Sequence, residues 1–224
     1  PDNRILSEPV VSVTTDSVIP AKAFTTLCDT VVNGVSLGIL TPRNATPVLV
    51  VGNDVMNDTT AVLAVQAADV RGDNGTIAGT FVVNGDLVSK GEAKAGFCSI
   101  INGEITVGVA DATPMLEQAL AGDGYFFRQY PLVVGGQLVE NKPKGKAKRK
   151  ALAEIDGEIS VIFSLERVTF HDFSQALIDA GVRNAIYLVG ADSSGFYVDP
   201  SGVRTLLSPD THNEWENINY IVWQ

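Results

Sequence analysis

The sequence lacks long apolar runs, contains only two histidines and carries no net positive charge. No hydrophobic stretch approaches the roughly 20 residues that span a bilayer, so no integral membrane segment is expected. The formal net charge of -10 argues against nucleic acid as the main partner, because phosphate backbones are bound by basic surfaces. The two histidines, His171 and His212, are too few and too far apart to predict a zinc site, and the sequence identifies no cofactor.

Cysteine is also scarce, and the two that are present leave two alternatives open. Cys28 and Cys98 form one disulfide, or both are buried free thiols. A chain of 224 residues buries a large core without a cross-link, so neither alternative is needed for folding. The chain starts at Pro1 rather than Met, which predicts a mature or trimmed product.

Glycine and β-forming residues are abundant, and their arrangement predicts hairpins. Four pairs of short apolar runs are joined by dipeptides that favour tight turns, namely Asn84-Gly85, Asn102-Gly103, Gly135-Gly136 and Asp156-Gly157. Further strands are predicted at 31–40 and 48–51, on either side of a turn at 41–44, and at 61–65 and 218–223.

Two short helices are predicted beside these strands. One begins at Thr113-Pro114, with proline in its first turn. The other covers 169–181, with Thr169 as N-cap, an apolar face at three- and four-residue steps and Gly181 as the C-terminal stop. About twelve strands and two helices predict an α+β fold, with largely antiparallel twisted sheets built from hairpins. The length fits a single domain over 1–224.

The segment after the second helix is the strongest candidate for a functional site. A buried strand at 185–189 runs into the small-residue turn 190–195, and a second strand follows at 196–198. Backbone N–H groups and hydroxyls in such a turn can bind phosphate or sugar oxygens. A serine hydrolase with a nucleophile elbow is the alternative, but that motif needs a helix after the serine, and His212 would have to be its base.

This segment resembles the signature of the phosphodiester glycosidase domain family, to which the mannose 6-phosphate uncovering enzyme and bacterial relatives belong. The family pattern is roughly Asn-Leu-Asp-Gly-Gly-Gly-Ser-Ser, and here it reads Tyr-Leu-Val-Gly-Ala-Asp-Ser-Ser over 187–194. Gly190, Ser193 and Ser194 match, whereas Val189 stands where the family has Asp. The resemblance covers about 60–224, with 1–60 as lead-in strands.

The same resemblance implies the site residues. Arg149 stands at the arginine of the family's Arg-Thr-Ala-Ile-Gly, and the segment 66–70 stands where the family has Asn-Gly-Gly-Phe-Phe. Arg149 would hold phosphate in a cleft, while Lys146, Lys148 and Lys150 face water. From the residues alone, a basic run of this kind is more often a solvated loop. The candidate catalytic residues are Asp192, Arg149 and Asp69, and the candidate substrate-binding residues are Gly190, Ser193, Ser194 and Gln66. Asp192 and Asp69 are included because glycosidic cleavage uses carboxylates, although neither stands at the family's acidic position.

Other side chains have weaker claims. Asp73 and Glu154 are further candidate carboxylates, although Asp73 fits a turn position. The aromatic side chains of Tyr125, Phe126, Phe127 and Tyr130 could stack on a sugar, although core packing is the commoner fate.

Two functions follow from the resemblance. One is a secreted, periplasmic or cell-surface bacterial hydrolase that binds and cleaves a sugar-1-phosphodiester. The other is a non-catalytic glycan- or protein-binding module on the same fold, which Val189 favours because an aliphatic side chain cannot move a proton. In both cases the expected partner is a carbohydrate or sugar phosphate.

Overall fold

The computed structural model describes residues 21–91, 94–109, 113–190, 193–208 and 216–224. The first third of the predicted lead-in, 1–20, therefore lies outside the described residues. Within them, 17 strands and two α-helices occur, and every strand pairing is antiparallel. The prediction of an α+β fold with largely antiparallel sheet is confirmed.

The strands form three sheets. The seven-stranded sheet has the order β1-β2-β13-β12-β14-β10-β11 and contains β1 (Phe24–Val32), β2 (Val35–Arg43), β10 (Pro131–Val134), β11 (Gln137–Leu138), β12 (Lys150–Ile155), β13 (Glu158–Ser164) and β14 (Val182–Leu188). One five-stranded sheet has the order β16-β15-β4-β17-β3 and contains β3 (Pro47–Val51), β4 (Leu63–Gln66), β15 (Gly195–Val198), β16 (Arg204–Leu206) and β17 (Asn219–Trp223). The other has the order β6-β5-β9-β7-β8 and contains β5 (Phe81–Val83), β6 (Asp86–Ser89), β7 (Gly96–Ile101), β8 (Glu104–Val109) and β9 (Tyr125–Gln129).

Side-chain alternation along the strands gives each sheet one face on a shared core. On β17, Ile221 and Trp223 belong to that core, whereas Tyr220 and Val222 pack in a separate layer with a 3₁₀ helix, Asn53–Asn57. The outer face of the seven-stranded sheet packs against α2 (Phe170–Asp179). The outer face of the five-stranded sheet that contains β5 to β9 packs against α1 (Thr113–Ala121). The shared core therefore fixes the three sheets relative to one another.

The second helix forms as predicted. The backbone N–H of Asp172 donates to Thr169 Oγ1 at 3.0 Å, and Gly181 after the helix has φ +101°. Phe170 and Phe173 are buried against the sheet. No helix in the described ranges is long and apolar enough to cross a membrane.

The four predicted hairpin turns are confirmed, because both turn residues have positive φ in each of them. A fifth was missed. The predicted strand 31–40 is wrong, because Asn33 and Gly34, at φ 53° and 75°, turn the chain between β1 and β2. The turn predicted at 41–44 lies later, between Arg43 and Pro47, since β2 continues to Arg43 and Asn44 has φ 54°.

Strand β9 was not predicted at all, although it is the central strand of its sheet. Two of the candidate sugar-stacking rings on it, Phe126 and Phe127, are fully buried core residues. Tyr125 is half-buried, and Tyr130 lies just beyond the strand.

The two cysteines are both free, so the disulfide alternative is wrong. The buried-thiol alternative holds for Cys98 alone, because Cys28 is exposed on β1. Burial raises the pKa of the Cys98 thiol, which keeps it in the unreactive protonated form.

A thiol reagent such as DTNB is therefore expected to modify one cysteine in the native protein and two in denaturant. The substitution Cys28→Ser should abolish the native reaction, since the thiolate is the reacting form and Cys98 is shielded. Two equivalents of rapid native labelling would contradict the burial of Cys98.

Candidate functional site

Arg149 lies immediately before β12 and is buried, with 6% of its surface exposed. Its Nε donates to the carbonyl oxygen of Val168 at 3.2 Å, and its Nη2 donates to that of Gly145 at 2.6 Å. The guanidinium carbon lies 3.9 Å from the ring centre of Phe170, the first residue of α2. The helix start and the strand start thus hold one guanidinium between them.

Aromatic rings extend outward from this arginine. Phe170 and Tyr187 meet at 5.0 Å between ring centres, and Tyr130 lies 5.5 Å from Phe170 and 6.4 Å from Tyr187. Arg149 Cζ is 5.8 Å from the ring centre of Tyr187. We call these four residues the aromatic–arginine cluster. Cation–π contacts of this kind stabilise a guanidinium while its remaining N–H groups stay available to a ligand.

Asp69 reaches the same region through Lys94. The two side chains form an ion pair, and Lys94 Nζ lies 4.4 Å from the ring centre of Tyr130. Gln129 Nε2 donates to Asp69 Oδ1 at 3.3 Å and to the carbonyl oxygen of Ala67 at 3.2 Å. We call Asp69, Lys94 and Gln129 the carboxylate cluster. It places a half-buried carboxylate beside the aromatic rings.

Residues of both clusters influence the pKa of the Tyr187 hydroxyl. Burial raises its pKa, a hydrogen bond and the positive charge of Arg149 lower it, and the negative charge of Asp69 raises it again. The predicted site residues Arg149 and Asp69, 80 positions apart in the sequence, are linked through the rings of Tyr187 and Tyr130 and through Lys94.

Gly190 closes the same site from the strand end. A Cβ at this position would lie 2.5 Å from the carbonyl oxygen of Lys148 and 2.6 Å from the hydroxyl of Tyr187. Only a glycine allows the turn to approach Lys148 and Tyr187 so closely, which explains why position 190 of the small-residue turn is a glycine.

The substitution Gly190→Ala is expected to lower the free energy of unfolding by about 1–3 kcal/mol, because backbone and ring must move apart. Gly72→Ala is the matched control, since nothing lies within 4 Å of the added methyl group there. Chemical denaturation measures both. Equal stability of the two variants would show that the turn relaxes freely.

Gln66 and Ser194 are joined to each other in a second, buried network. Gln66 Nε2 donates to Ser194 Oγ at 2.8 Å, Ser194 Oγ lies 2.6 Å from the hydroxyl of Tyr220, and Tyr220 donates to Asn53 Oδ1 at 3.0 Å. Burial raises the pKa of Tyr220, so it remains a neutral hydrogen-bonding phenol. This network ties the turn, through Ser194, to β4, β17 and the 3₁₀ helix.

Ser193 is bound by Lys150, which the sequence prediction placed in water. Lys150 is buried, and its Nζ donates to Ser193 Oγ at 2.6 Å. Ser193 Oγ in turn donates to the carbonyl oxygen of Val189 at 2.8 Å. The prediction for Lys150 is wrong because Lys150 lies on the same face of β12 as Leu152, which points into the shared core. Lys146 and Lys148 are exposed, as expected.

The remaining candidate carboxylates lie apart from this region or outside the described residues. Asp192 falls outside them. Asp73 is exposed and pairs with Arg71, and Glu154 accepts a hydrogen bond from Asn184 at 2.7 Å. In the described ranges no group of three or more histidine, cysteine or acidic side chains is arranged as metal ligands would be.

Two surface clefts lie elsewhere in the structure. One of about 450 Å³ is lined by Glu104, Glu154 and Asn184, and a neighbouring one of about 250 Å³ is lined by Glu158 and Trp223, among others. None of the predicted catalytic or substrate-binding residues lines either cleft. Their carboxylates would repel an anionic ligand, so the arginine site suits phosphate better than these two clefts do.

The sequence alone did not identify Lys94, Lys150, Gln129, Phe170 or Tyr187 as site residues. Extending the strand alternation of β12 back by one position would have placed Lys150 inside. For Lys94 and Gln129, which lie in other segments without a motif, the sequence contains no comparable signal.

The family model for phosphodiester glycosidase matches residues 59–222. The chain therefore belongs to the phosphodiester glycosidase family, and the predicted resemblance over about 60–224 is confirmed. No curated protein sequence matches the chain significantly.

Two solved structures are similar to the protein. The catalytic domain of zebrafish N-acetylglucosamine-1-phosphodiester α-N-acetylglucosaminidase, auto-inhibited by its pro-peptide, has a TM-score of 0.61 at 14% identity, over 92% of this chain and 84% of that one. A hypothetical protein from Synechocystis has a TM-score of 0.56 at 12% identity, over 90% of this chain and 62% of that one. At these identities the likeness establishes a shared fold.

Proposed function

We propose that the protein binds a sugar-1-phosphodiester at the aromatic–arginine cluster and hydrolyses the bond between the sugar C1 and the phosphate oxygen. The buried guanidinium of Arg149 carries this proposal. Among the described residues no carboxylate forms an ion pair with it, so its charge is available to an anionic ligand. A guanidinium binds two phosphate oxygens at once, in a geometry that a lysine cannot reproduce.

The neighbouring rings suit the other half of such a ligand. Tyr130 and Tyr187 are half-buried, so part of each ring surface is accessible beside the arginine. A sugar ring has apolar C–H faces that pack on aromatic rings, while its hydroxyl groups need hydrogen-bonding partners. We assign the sugar to this aromatic surface and the phosphate to Arg149.

The chemistry of the leaving group reduces the number of catalytic groups that are required. When water attacks C1, the C1–O bond breaks and its electron pair leaves with a phosphomonoester, whose second pKa is about 6. Such a group departs without a proton from an acid, whereas an ordinary glycosidase needs a carboxylic acid for this purpose. Arg149 offsets the charge that develops on the phosphate as the bond breaks.

One carboxylate is then enough to complete the reaction. We assign Asp69 to accept the proton of the attacking water, because Lys94 links its side chain to the ring of Tyr130 in the aromatic–arginine cluster. Gly190 gives the substrate room at the turn, and Ser193, oriented by Lys150, contacts sugar or phosphate oxygens. Ser194 and Gln66 support the turn through the buried network, and Asp192 is the second candidate carboxylate by its position in the sequence.

The test is release of sugar from the methyl phosphodiester of N-acetylglucosamine-1-phosphate and from UDP-N-acetylglucosamine. This sugar is the first choice because the name of the similar zebrafish enzyme specifies it. Asp69→Asn is expected to lower kcat/KM at least about 100-fold, whereas Asp73→Asn, an exposed pair partner of Arg71, should leave it unchanged. Asp192→Asn measures the contribution of the second carboxylate.

Absence of turnover with these and other sugar-1-phosphodiesters would contradict the hydrolase proposal. Turnover that survives Asp69→Asn and stops in Asp192→Asn would transfer the role of the base to Asp192.

A non-catalytic binding module is the second candidate, and Val189 is the observation that favours it. An aliphatic side chain stands where the family has an acid, and it cannot move a proton. This function predicts a ligand-induced rise in Tm without product, equal in the native protein and in Asp69→Asn. We also propose a location outside the cytoplasm, as the resemblance implies, and fractionation of the source cells tests it.

A further inference from the structure

A row of lysines leads to the candidate site along the segment before β12. Lysine occupies every second position from Lys142 to Lys150, and no acidic residue occurs between 141 and 153. The chain as a whole has a net charge of -10, yet six of its 16 basic residues lie within 142–150. We call Lys142, Lys144, Lys146 and Lys148, all of which are exposed, the lysine row.

This segment is anchored at several points. The carbonyl oxygen of Gly145 accepts from Arg149, and that of Lys146 accepts from Arg167 at 2.8 Å. Ala147 forms a two-bond bridge with Val168, at 3.1 and 2.9 Å. The anchors fix the backbone that carries the lysine row.

The row ends inside the candidate site. The carbonyl oxygen of Lys148 is in close contact with the Gly190 turn, and Lys150, the next lysine of the series, binds Ser193 in that turn. Ala147 pairs with Val168 and β12 begins at Lys150, so the last lysines of the series, Lys148 and Lys150, lie where the chain reaches the Gly190 turn. A ligand that leaves the site along this segment meets one cation after another.

A substrate with a single phosphate cannot use this row. At physiological salt, charges that are more than about 8 Å apart are largely screened from each other. One phosphate held by Arg149 therefore gains little from lysines that extend seven positions away. Only a ligand that carries further negative charges along its length can contact them in succession.

From this we infer that the lysine row binds the anionic continuation of a polymeric substrate, a glycan chain with repeating phosphodiester links whose terminal sugar enters the site. The inference rests on the proposed function for the position of the scissile bond. It adds the substrate class, a phosphate-linked glycan polymer in place of a nucleotide sugar or a short phosphodiester. One exposed pair, Lys144 with Glu140 at 3.6 Å, is weak enough to be exchanged for phosphate.

The test compares two substrates and two variants with equal charge. The substrates are an end-labelled decamer of N-acetylglucosamine-1-phosphate repeats and the methyl phosphodiester of the same sugar phosphate. One variant changes the four lysines of the row to Gln. The control variant makes the same change in net charge at exposed positions elsewhere, Lys22, Arg71, Lys90 and Arg183.

Each lysine that contacts a flexible phosphate chain adds about 0.7 to the slope of log affinity against log salt. The slope for the decamer should therefore be about three units shallower in the lysine-row variant than in the native protein. When salt is lowered from 200 to 50 mM, the affinity of the variant should accordingly rise roughly 50-fold less than that of the native protein. The control variant should keep the native slope. Both variants should hydrolyse the methyl phosphodiester at the native rate.

Three outcomes decide between the inference and the proposed function. If the decamer binds the two variants alike, the inference is wrong, whether or not the short substrate is hydrolysed. If the decamer binds through the lysine row and neither substrate is cleaved, the polymer surface stands and the hydrolase proposal fails. If a single-stranded oligonucleotide of equal charge binds as tightly through the same lysines, the assignment to a glycan polymer is overturned.

Discussion

Replacing Arg149 by Met is expected to lower kcat/KM for a sugar-1-phosphodiester about 1,000-fold. A preorganised donor aimed at developing negative charge is worth about 100- to 1,000-fold in rate, and here the same group also binds the ground-state phosphate. The methionine retains an unbranched apolar stem of similar length against Phe170. The measurement is kcat/KM with the methyl phosphodiester of N-acetylglucosamine-1-phosphate.

Structural loss has to be separated from this functional loss. Arg149→Met leaves the carbonyl oxygens of Gly145 and Val168 without a donor, at a cost of about 1–3 kcal/mol for each such buried group. Arg149→Lys keeps the charge and one donor, and should recover folding but little activity, since the two-pronged geometry is gone. Arg167→Met is the control, because Arg167 binds the same segment from an exposed position. Activity within tenfold of native in a folded Arg149→Met variant would exclude the phosphate-binding role.

The substitution Phe173→Ala is expected to lower the free energy of unfolding by about 3–5 kcal/mol. Phe173 is completely buried between α2 and the seven-stranded sheet, so its removal leaves a cavity as well as losing apolar burial. Denaturant unfolding measures the change, and the control Gln175→Ala on the same helix should stay within about 0.5 kcal/mol. A loss below about 1 kcal/mol for Phe173→Ala would mean that the helix does not pack as described.

Local chemistry determined the parts of the fold that the sequence predicted well. An Asn-Gly or Asp-Gly pair needs positive φ at both positions, a condition that these residues satisfy without tertiary help. The same holds for Thr169, whose hydroxyl reaches an N–H three residues away. Asn33-Gly34 was missed because the apolar residues around it suggested one continuous strand, although the dipeptide signal was present.

The site was predictable only where the family pattern marked it. Arg149, Asp69 and Gly190 come from distant segments, and no periodicity predicts that they share one region of the structure. Long-range pairing decides this, because β14 lies between β12 and β10 in the sheet. Lys94 shows the limit most clearly, since its position beside Asp69 depends entirely on tertiary contacts.

The position of β17 has a consequence for how the protein is made. This strand, Asn219–Trp223, comes last in sequence among the described strands, yet it lies between β3 and β4 in its sheet. Its first residue, Asn219, also brackets Ala68, accepting from the Ala68 N–H at 2.8 Å and donating to the Ala68 carbonyl oxygen at 3.0 Å. Ala68 immediately precedes Asp69.

During translation, every nascent chain that ends before Asn219 leaves β3 and β4 without their shared neighbour. Two apolar edges then remain open while the rest of the domain is already synthesised, and open edges invite pairing with other chains. The carboxylate of Asp69 reaches its final place only after β17 has inserted. Ribosome-bound chains truncated before Asn219 should therefore depend on chaperones and lack the finished site.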